Sequence, residues 1–306
     1  MGYLKFVIYF LFLYVFSANR VLSQNTDSIS AKNRNLKKGI VIGSTGLYTL
    51  SSLSYLNFIW YKPYATSVFH FYNDNNEWCQ MDKLGHVFTT YNSGRLIAQA
   101  LRWSGFASKK SILIGEVYGT LYMTTIEVMD GFSKGWGFSW GDEAANVSGG
   151  MLFTAQQYFW NEQRIQFKFS FHQTTYPQYR PNELGANFTE QLIKDYNGQS
   201  YWLSVNAASF LKKGTKFPKW INLAFGYGAE GMISGMDNYY ITTATGTVIG
   251  QNRYRKLFLS LDIDFTKIKT KSGFLKTLFS VMNGIKVPFP ALEFNNRGVM
   301  AHPFYF

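Results

Sequence analysis

The sequence has one cysteine, Cys79, among 306 residues, so no internal disulfide is available and stability must come from burial. A lipid anchor on a signal-peptide cysteine is not expected either, because Cys79 lies far downstream of any cleavage point. Histidine is nearly as scarce, with four in the chain, and no His-Glu-x-x-His spacing occurs, which removes the commonest zinc hydrolase pattern. No repeat of fixed period is visible, so a solenoid is not indicated. Charge is absent from Gly39 to Trp60, but this stretch contains serines, threonines and Asn57. Its hydrophobicity is marginal for a membrane span, and the expectation is a buried core helix.

What is present begins with an address. Met1 to Ser23 carries Lys5, an apolar run from Phe6 to Phe16 and smaller residues at the end, the order of a cleavable export signal. The apolar run is shorter than the roughly 20 residues a membrane helix needs. Removal leaves about 280 residues, enough for a substantial core, and 46% hydrophobic content supplies it. Aromatic residues make up 19%, a share that suggests contact with a membrane boundary, where Tyr and Trp keep one edge wet. Of the net charge of +12, two units fall in the signal, +2 on residues 24–166 and +8 on residues 167–306. In an exported protein such a basic half meets membrane lipid, lipopolysaccharide or envelope glycan rather than nucleic acid. Simple solubility explains it equally well.

Residues 24–38 read as a flexible polar lead-in. Helices are expected over Gly39–Trp60, Met81–Trp103, Lys110–Asp130 and Ser139–Trp160, separated by an aromatic polar loop, by Ser104-Gly105 and by the glycine-bearing segment 131–135. Beyond Gln166 the period changes to two. Phe167–His172, Ile221–Tyr227 and Leu257–Phe265 alternate as half-buried strands do, with short helices expected at Asn187–Tyr196 and Gly273–Asn283. The terminal aromatic of Ala301–Phe306 is similar to the last strand of outer-membrane barrels, but too few long strands are evident to close one. The expected fold is α+β: a bundle of about four helices over 39–166, then a smaller antiparallel strand-containing region over 167–306.

Polar residues recur at helical spacing in three of these helices. Asp82 and His86 are four apart, Glu127 and Asp130 three, Asp142 and Asn146 four, so each pair shares one helix face. Gly115, Gly119 and Gly150 lie on the same faces and permit close approach. If the pairs converge, His86, Glu127 and Asp82 are the candidate proton-handling residues. Asp130, Ser139, Asp142, Asn146, Lys83 and Arg95 complete the polar cluster, and Asp82, His86, Glu127 and Asp130 are candidate ligands for a divalent cation. Against this stands a purely structural reading. Ser139 and Asp142 have capping-box spacing, Asp82 can cap its own helix, Asp130-Gly131 resembles an ordinary helix exit, and Lys83 or Arg95 can neutralise buried acids.

The ordered strings Met81-Asp82-Lys83-Leu84-Gly85-His86, Glu127-Val128-Met129-Asp130-Gly131-Phe132 and Gly137-Phe138-Ser139-Trp140-Gly141-Asp142, with Tyr91, Arg95, Ala145, Asn146 and Gly149, resemble the YfiM-like family of predicted periplasmic proteins of unknown function. The same order is similar, more distantly, to VanZ-like membrane proteins. The resemblance covers roughly residues 55–165 and implies an envelope location, in the periplasm or at the outer membrane, without implying a reaction. Two function classes follow. One is a non-catalytic envelope protein whose cluster serves structure or ligand binding. The other is an envelope enzyme acting on a lipid or glycan by acid/base or metal-assisted chemistry.

Two further motifs carry less. Gly137-Phe138-Ser139-Trp140-Gly141 has the nucleophile-elbow pattern, with His172 and His302 downstream, but lacks the preceding strand. Gly226-Tyr227-Gly228-Ala229-Glu230-Gly231 has dinucleotide-site spacing without a following helix or a ribose-binding acid, and is expected to be a tight turn. No dinucleotide partner is expected.

Overall fold

The computed structural model describes residues 31–306 apart from 213, 237–239, 243, 247 and 251. The export-signal reading and the first part of the lead-in lie outside the described residues. The remainder of the lead-in is helical. Helix α1 runs over Ala31–Leu56 and continues as a π-helical turn, Asn57–Tyr61. Lys37 and Lys38 cross the rings of Trp103 and Phe106 at 5.1 and 4.9 Å, and these cation–π contacts give the polar start a surface to order against. The core-helix expectation for Gly39–Trp60 is also corrected. Val41 and Ile59 are buried, but Ile42, Leu47, Leu50 and Phe58 are exposed, so the segment lies at the periphery. No described helix is long and apolar enough to cross a membrane.

Three helices form the bundle: α2 (Met81–Trp103), α3 (Ser108–Gly131) and α4 (Trp140–Phe159). Glycines set their spacing. A Cβ on Gly115 would lie 2.4 Å from the carbonyl oxygen of Gly94, one on Gly119 2.8 Å from that of Thr90, and one on Gly149 2.5 Å from that of Val87. Helix α2 is therefore held backbone to backbone against both neighbours, and small residues alone allow this. Tyr91, Ala98 and Phe153 fill the space between.

The second half is a six-stranded antiparallel sheet in the order β1-β2-β3-β6-β7-β8, which makes the whole an α+β fold. Its strands are β1 (Ile165–Phe171), β2 (Gln199–Val205), β3 (Ile221–Glu230), β6 (Tyr254–Ile263), β7 (Phe289–Asn295) and β8 (Gly298–Tyr305). Between β3 and β6 a ribbon of β4 (Tyr240–Thr242) and β5 (Val248–Gly250) protrudes. Short helices α5 (Pro181–Leu184) and α6 (Phe188–Lys194) connect β1 to β2, and α7 (Gly273–Met282) connects β6 to β7. The free edge of β1 is taken up by the segment leading into β7: Phe169 N donates to Gly284 O and Lys286 N to Phe169 O, both at 2.9 Å. The sheet thus rolls nearly shut around Trp202, Phe258 and Tyr305.

The outer faces of β1 and β2 meet α2, where Phe167, Phe169 and Tyr201 pack with Phe88. The sheet is therefore continuous with the helical core. The expectation of a turn at the glycines of 226–231 is corrected. Gly226 and Gly228 lie inside β3, and a Cβ on Gly226 would fall 2.6 Å from the Trp202 ring. The pattern marks a close ring approach within a strand, and the turn is confined to Gly231 at φ +81.

Candidate functional site

The site forms where α2, α3 and α4 meet the loop between α1 and α2. Immediately before α2, Trp78, Cys79 and Gln80 all have positive φ, at 46, 50 and 63, a left-handed run that costs non-glycine residues on the order of 1–2 kcal/mol each. The sheet holds it in place. Trp78 N donates to Gly235 O at 2.8 Å, Tyr227 Oη to Cys79 O at 2.7 Å and Arg255 to Gln80 Oε1 at 2.8 Å. The first turn of α2, bearing Asp82 and Lys83, is aimed by these contacts. The loop itself supplies Asp74, a residue that helical spacing could not reveal.

Lys83 Nζ lies 2.6 Å from Asp74, 2.8 Å from Asp142 and 3.6 Å from Asp82. Ser139 Oγ donates to Asp74 at 2.6 Å and accepts from Asp142 N at 3.2 Å. The capping reading of Ser139 is therefore half the arrangement. The backbone N–H of Ser139 is satisfied by Glu127 Oε2 at 3.1 Å rather than by Asp142, so the start of α4 is tied to α3. Tyr196 Oη donates to Asp82 Oδ1 at 2.6 Å, bringing in the segment after α6.

His86 is oriented by a chain of hydrogen bonds. Thr124 Oγ1 donates to Glu143, Asn146 Nδ2 donates to Glu143 Oε2 at 3.1 Å, and Asn146 Oδ1 lies 2.9 Å from His86 Nδ1. A carboxylate only accepts, so the amide must present its nitrogen to Glu143 and its oxygen to the imidazole. Nδ1 therefore carries the proton. Nε2 then faces Glu127 Oε1 at 3.4 Å, Asp142 Oδ1 at 3.9 Å and Asp82 Oδ1 at 4.0 Å. Glu127 Oε1 is buried without a hydrogen-bond partner among the described residues.

Burial pushes Glu127 up to about 9 against the pull of His86. Burial and the neighbouring Asp82 raise Asp142 by more than Lys83 offsets. Burial also raises Asp130, which turns toward the Tyr61 hydroxyl. Asp74 goes the other way: despite burial, hydrogen bonds with Asp142, Lys83 and Ser139 hold it below the usual range. Lys83 is held above its usual value despite burial, by Asp82 and Asp142.

Asp82, Lys83, His86, Glu127, Ser139, Asp142 and Asn146 thus lie together, and Asp130 sits at the margin. Arg95 does not belong to the group. It projects from α2 farther along and donates to Ser280 Oγ and O at 3.0 and 2.9 Å, tying α2 to α7. The Ser139 elbow pattern has no histidine hydrogen-bonded to the serine among the described residues: His302 pairs with Glu293 at 2.8 Å in the sheet, and His172, just after β1, packs on Tyr305.

No curated protein and no solved structure matches the chain. A match to a described family covers residues 70–158, a family given as predicted periplasmic lipoproteins and as domain of unknown function 2279. Cys79 falls within that stretch and is buried in the core. The matched stretch runs from the loop bearing Asp74 to the last turn of α4, so over these residues the chain is similar to that family, and the stretch includes Asp74, Asp82, Lys83, His86, Glu127, Ser139, Asp142 and Asn146.

Proposed function

We propose that the chain is a periplasmic envelope protein, associated with the outer membrane, whose helical region binds a divalent cation. His86 Nε2, Glu127, Asp82 and Asp142 are the ligands. One observation carries the reading: Asn146 fixes the imidazole so that its free nitrogen points at three carboxylate oxygens 3.4–4.0 Å away. Most of those separations are too long for hydrogen bonds. They fit donors sharing one metal at about 2.1 Å, which tetrahedral geometry places roughly 3.4 Å from one another. Asp82, His86 and Asp142 each offer one ligand atom, all within 4.8 Å of one another, and the unpartnered Glu127 Oε1 points to the same place. The Asn146 contact is the outer-shell support that ligating histidines usually have. Mixed imidazole and carboxylate donors suit zinc or manganese better than calcium.

The test is direct. Purified protein stripped with chelator and then dialysed against zinc or manganese should take up about one equivalent, read by elemental analysis and by titration calorimetry. His86→Ala and Asp142→Asn should each lower that affinity at least roughly tenfold, the usual cost of losing a ligand or its support. Uptake that is absent for zinc, manganese and magnesium alike, in a protein whose circular dichroism is intact, ends the proposal.

A further inference from the structure

Beside the buried Trp202–Phe258–Tyr305 cluster, much of the rolled sheet has its polarity reversed. Side chains pointing inward include Lys168, Ser200, Ser204, Asn222, Lys256, Ser260, Asp262 and Glu293, all buried. They satisfy one another: Lys168 pairs with Asp262 at 2.7 Å, Lys256 with Glu230 at 3.0 Å and His302 with Glu293 at 2.8 Å. Pointing outward, beyond the area covered by α2, are Leu203 at the far end of β2 and Leu223, Phe225, Leu257, Leu261, Leu292 and Phe294, all exposed. They are neighbours by register: Leu203 faces Phe225 across β2–β3, Leu223 faces Leu261 across β3–β6, and Leu257 faces Phe294 across β6–β7. A water-facing sheet shows the opposite alternation. Polar inside and apolar outside is the pattern of strands that face lipid.

The border of this patch is also charged in one sense. The connections from β2 to β3 and from β6 to β7, which leave the same end of these strands, carry exposed Lys212, Lys216, Lys219, Lys269, Lys271 and Lys276, none in an ion pair among the described residues, with Phe217 and Trp220 exposed in the first of them. Asp264, the acid of these connections, is buried. Uncompensated lysines with tryptophan at the edge of an apolar surface match an anionic headgroup layer. Size sets the depth. From Ile221 to Tyr227 the apolar stretch is about 20 Å tall at 3.3–3.4 Å per residue, short of the roughly 30 Å of a hydrocarbon core. Helix α3 exposes a narrower stripe of Leu113, Val117 and Leu121, without a polar interior behind it.

We propose that the outer face of β3, β6 and β7 is a lipid-docking surface, immersed in one leaflet of an anionic bilayer with the lysine-rich end at the headgroups. This surface is separate from the His86 cluster and does not depend on it. The experiment is flotation of the purified protein with phosphatidylcholine vesicles, with and without phosphatidylglycerol. Wild type should float with the anionic vesicles, and Trp220 fluorescence should be quenched by lipids brominated on the acyl chains. The triple substitution Leu223→Ser, Phe225→Ser, Leu257→Ser should lower partitioning by roughly tenfold or more. Because these side chains are exposed, circular dichroism and the thermal midpoint should be retained. Lys216→Glu with Lys269→Glu should weaken flotation at low salt. Failure of wild type to float, or flotation of the triple variant at the wild-type level, overturns the proposal. So does a dimer in sedimentation that the triple variant dissociates, since the face would then bind a second copy.

Discussion

At the scale of single residues, what was legible followed from periodicity. Asp82 and His86 share a helix face because four residues make one turn, and Asp142 and Asn146 do the same, so their convergence needed only that the helices pack. Asp74 and Tyr196 were not legible. Each reaches the cluster from a non-helical segment, and nothing local marks an aspartate in an Asn-rich run as the partner of a lysine nine residues on. Arg95 shows the converse failure, because a shared helix does not imply a shared end of it. Lys286 lies beyond any sequence rule. Buried against Trp202 with its Nζ 4.9 Å from the ring centroid, it is pushed down to about 8 by burial, against the pull of Asp262 and with the help of Lys168. An unfolded lysine titrates near 10.4, so between about 8 and 10.4 the unfolded chain binds more protons and stability rises with pH. Above that window the full contribution is present, and it is lost as pH falls through about 8. The span corresponds to about 3 kcal/mol. In urea denaturation, Lys286→Met should flatten this rise; an unchanged pH profile in the variant would assign the effect to another group.

At the scale of elements, the bundle helices were readable to within a few residues because glycine and small polar residues mark their ends. Strand β2 was missed. Ser200, Tyr201 and Trp202 are all buried, since one face meets α2 and the other the interior of the roll, and a strand buried on both sides has no alternation to detect. The glycines on α2, α3 and α4 fix how deeply the cluster residues reach one another. A side chain on Gly115 would strike the backbone of Gly94 rather than a movable side chain. Gly115→Val should therefore separate α2 from α3 and cost about 1–3 kcal/mol, the usual range for overpacking. The same substitution at Gly43, where nothing lies within 4 Å, provides the control for β-branched propensity alone. Equal losses at the two positions in chemical denaturation would show that the α2–α3 contact accommodates the added side chain and does not depend on glycine.

At the scale of the whole molecule, a buried charge network joins the strands of the sheet beside its Trp202–Phe258–Tyr305 cluster, so part of its closure does not depend on the leucines it presents outward. Asp262 on β6 is fully buried and accepts from Lys168 on β1 at 2.7 Å, from Ser204 on β2 at 2.6 Å and from the backbone N–H of Val287, just before β7, at 3.2 Å. Four parts of the roll meet at one carboxylate. Removing one partner from such a buried pair leaves a charge without compensation and costs about 3–5 kcal/mol, whereas removing both charges costs much less. Asp262→Asn keeps one acceptor oxygen, enough for Ser204 or for Val287 but not both, and isolates Lys168, so its loss should fall at least in that range. Adding Lys168→Met should restore a substantial part of it, giving a strong coupling in the double-mutant cycle. Additive losses would mean that the carboxylate closes the sheet through its hydrogen bonds to Ser204 and Val287 alone, with Lys168 neutralised elsewhere.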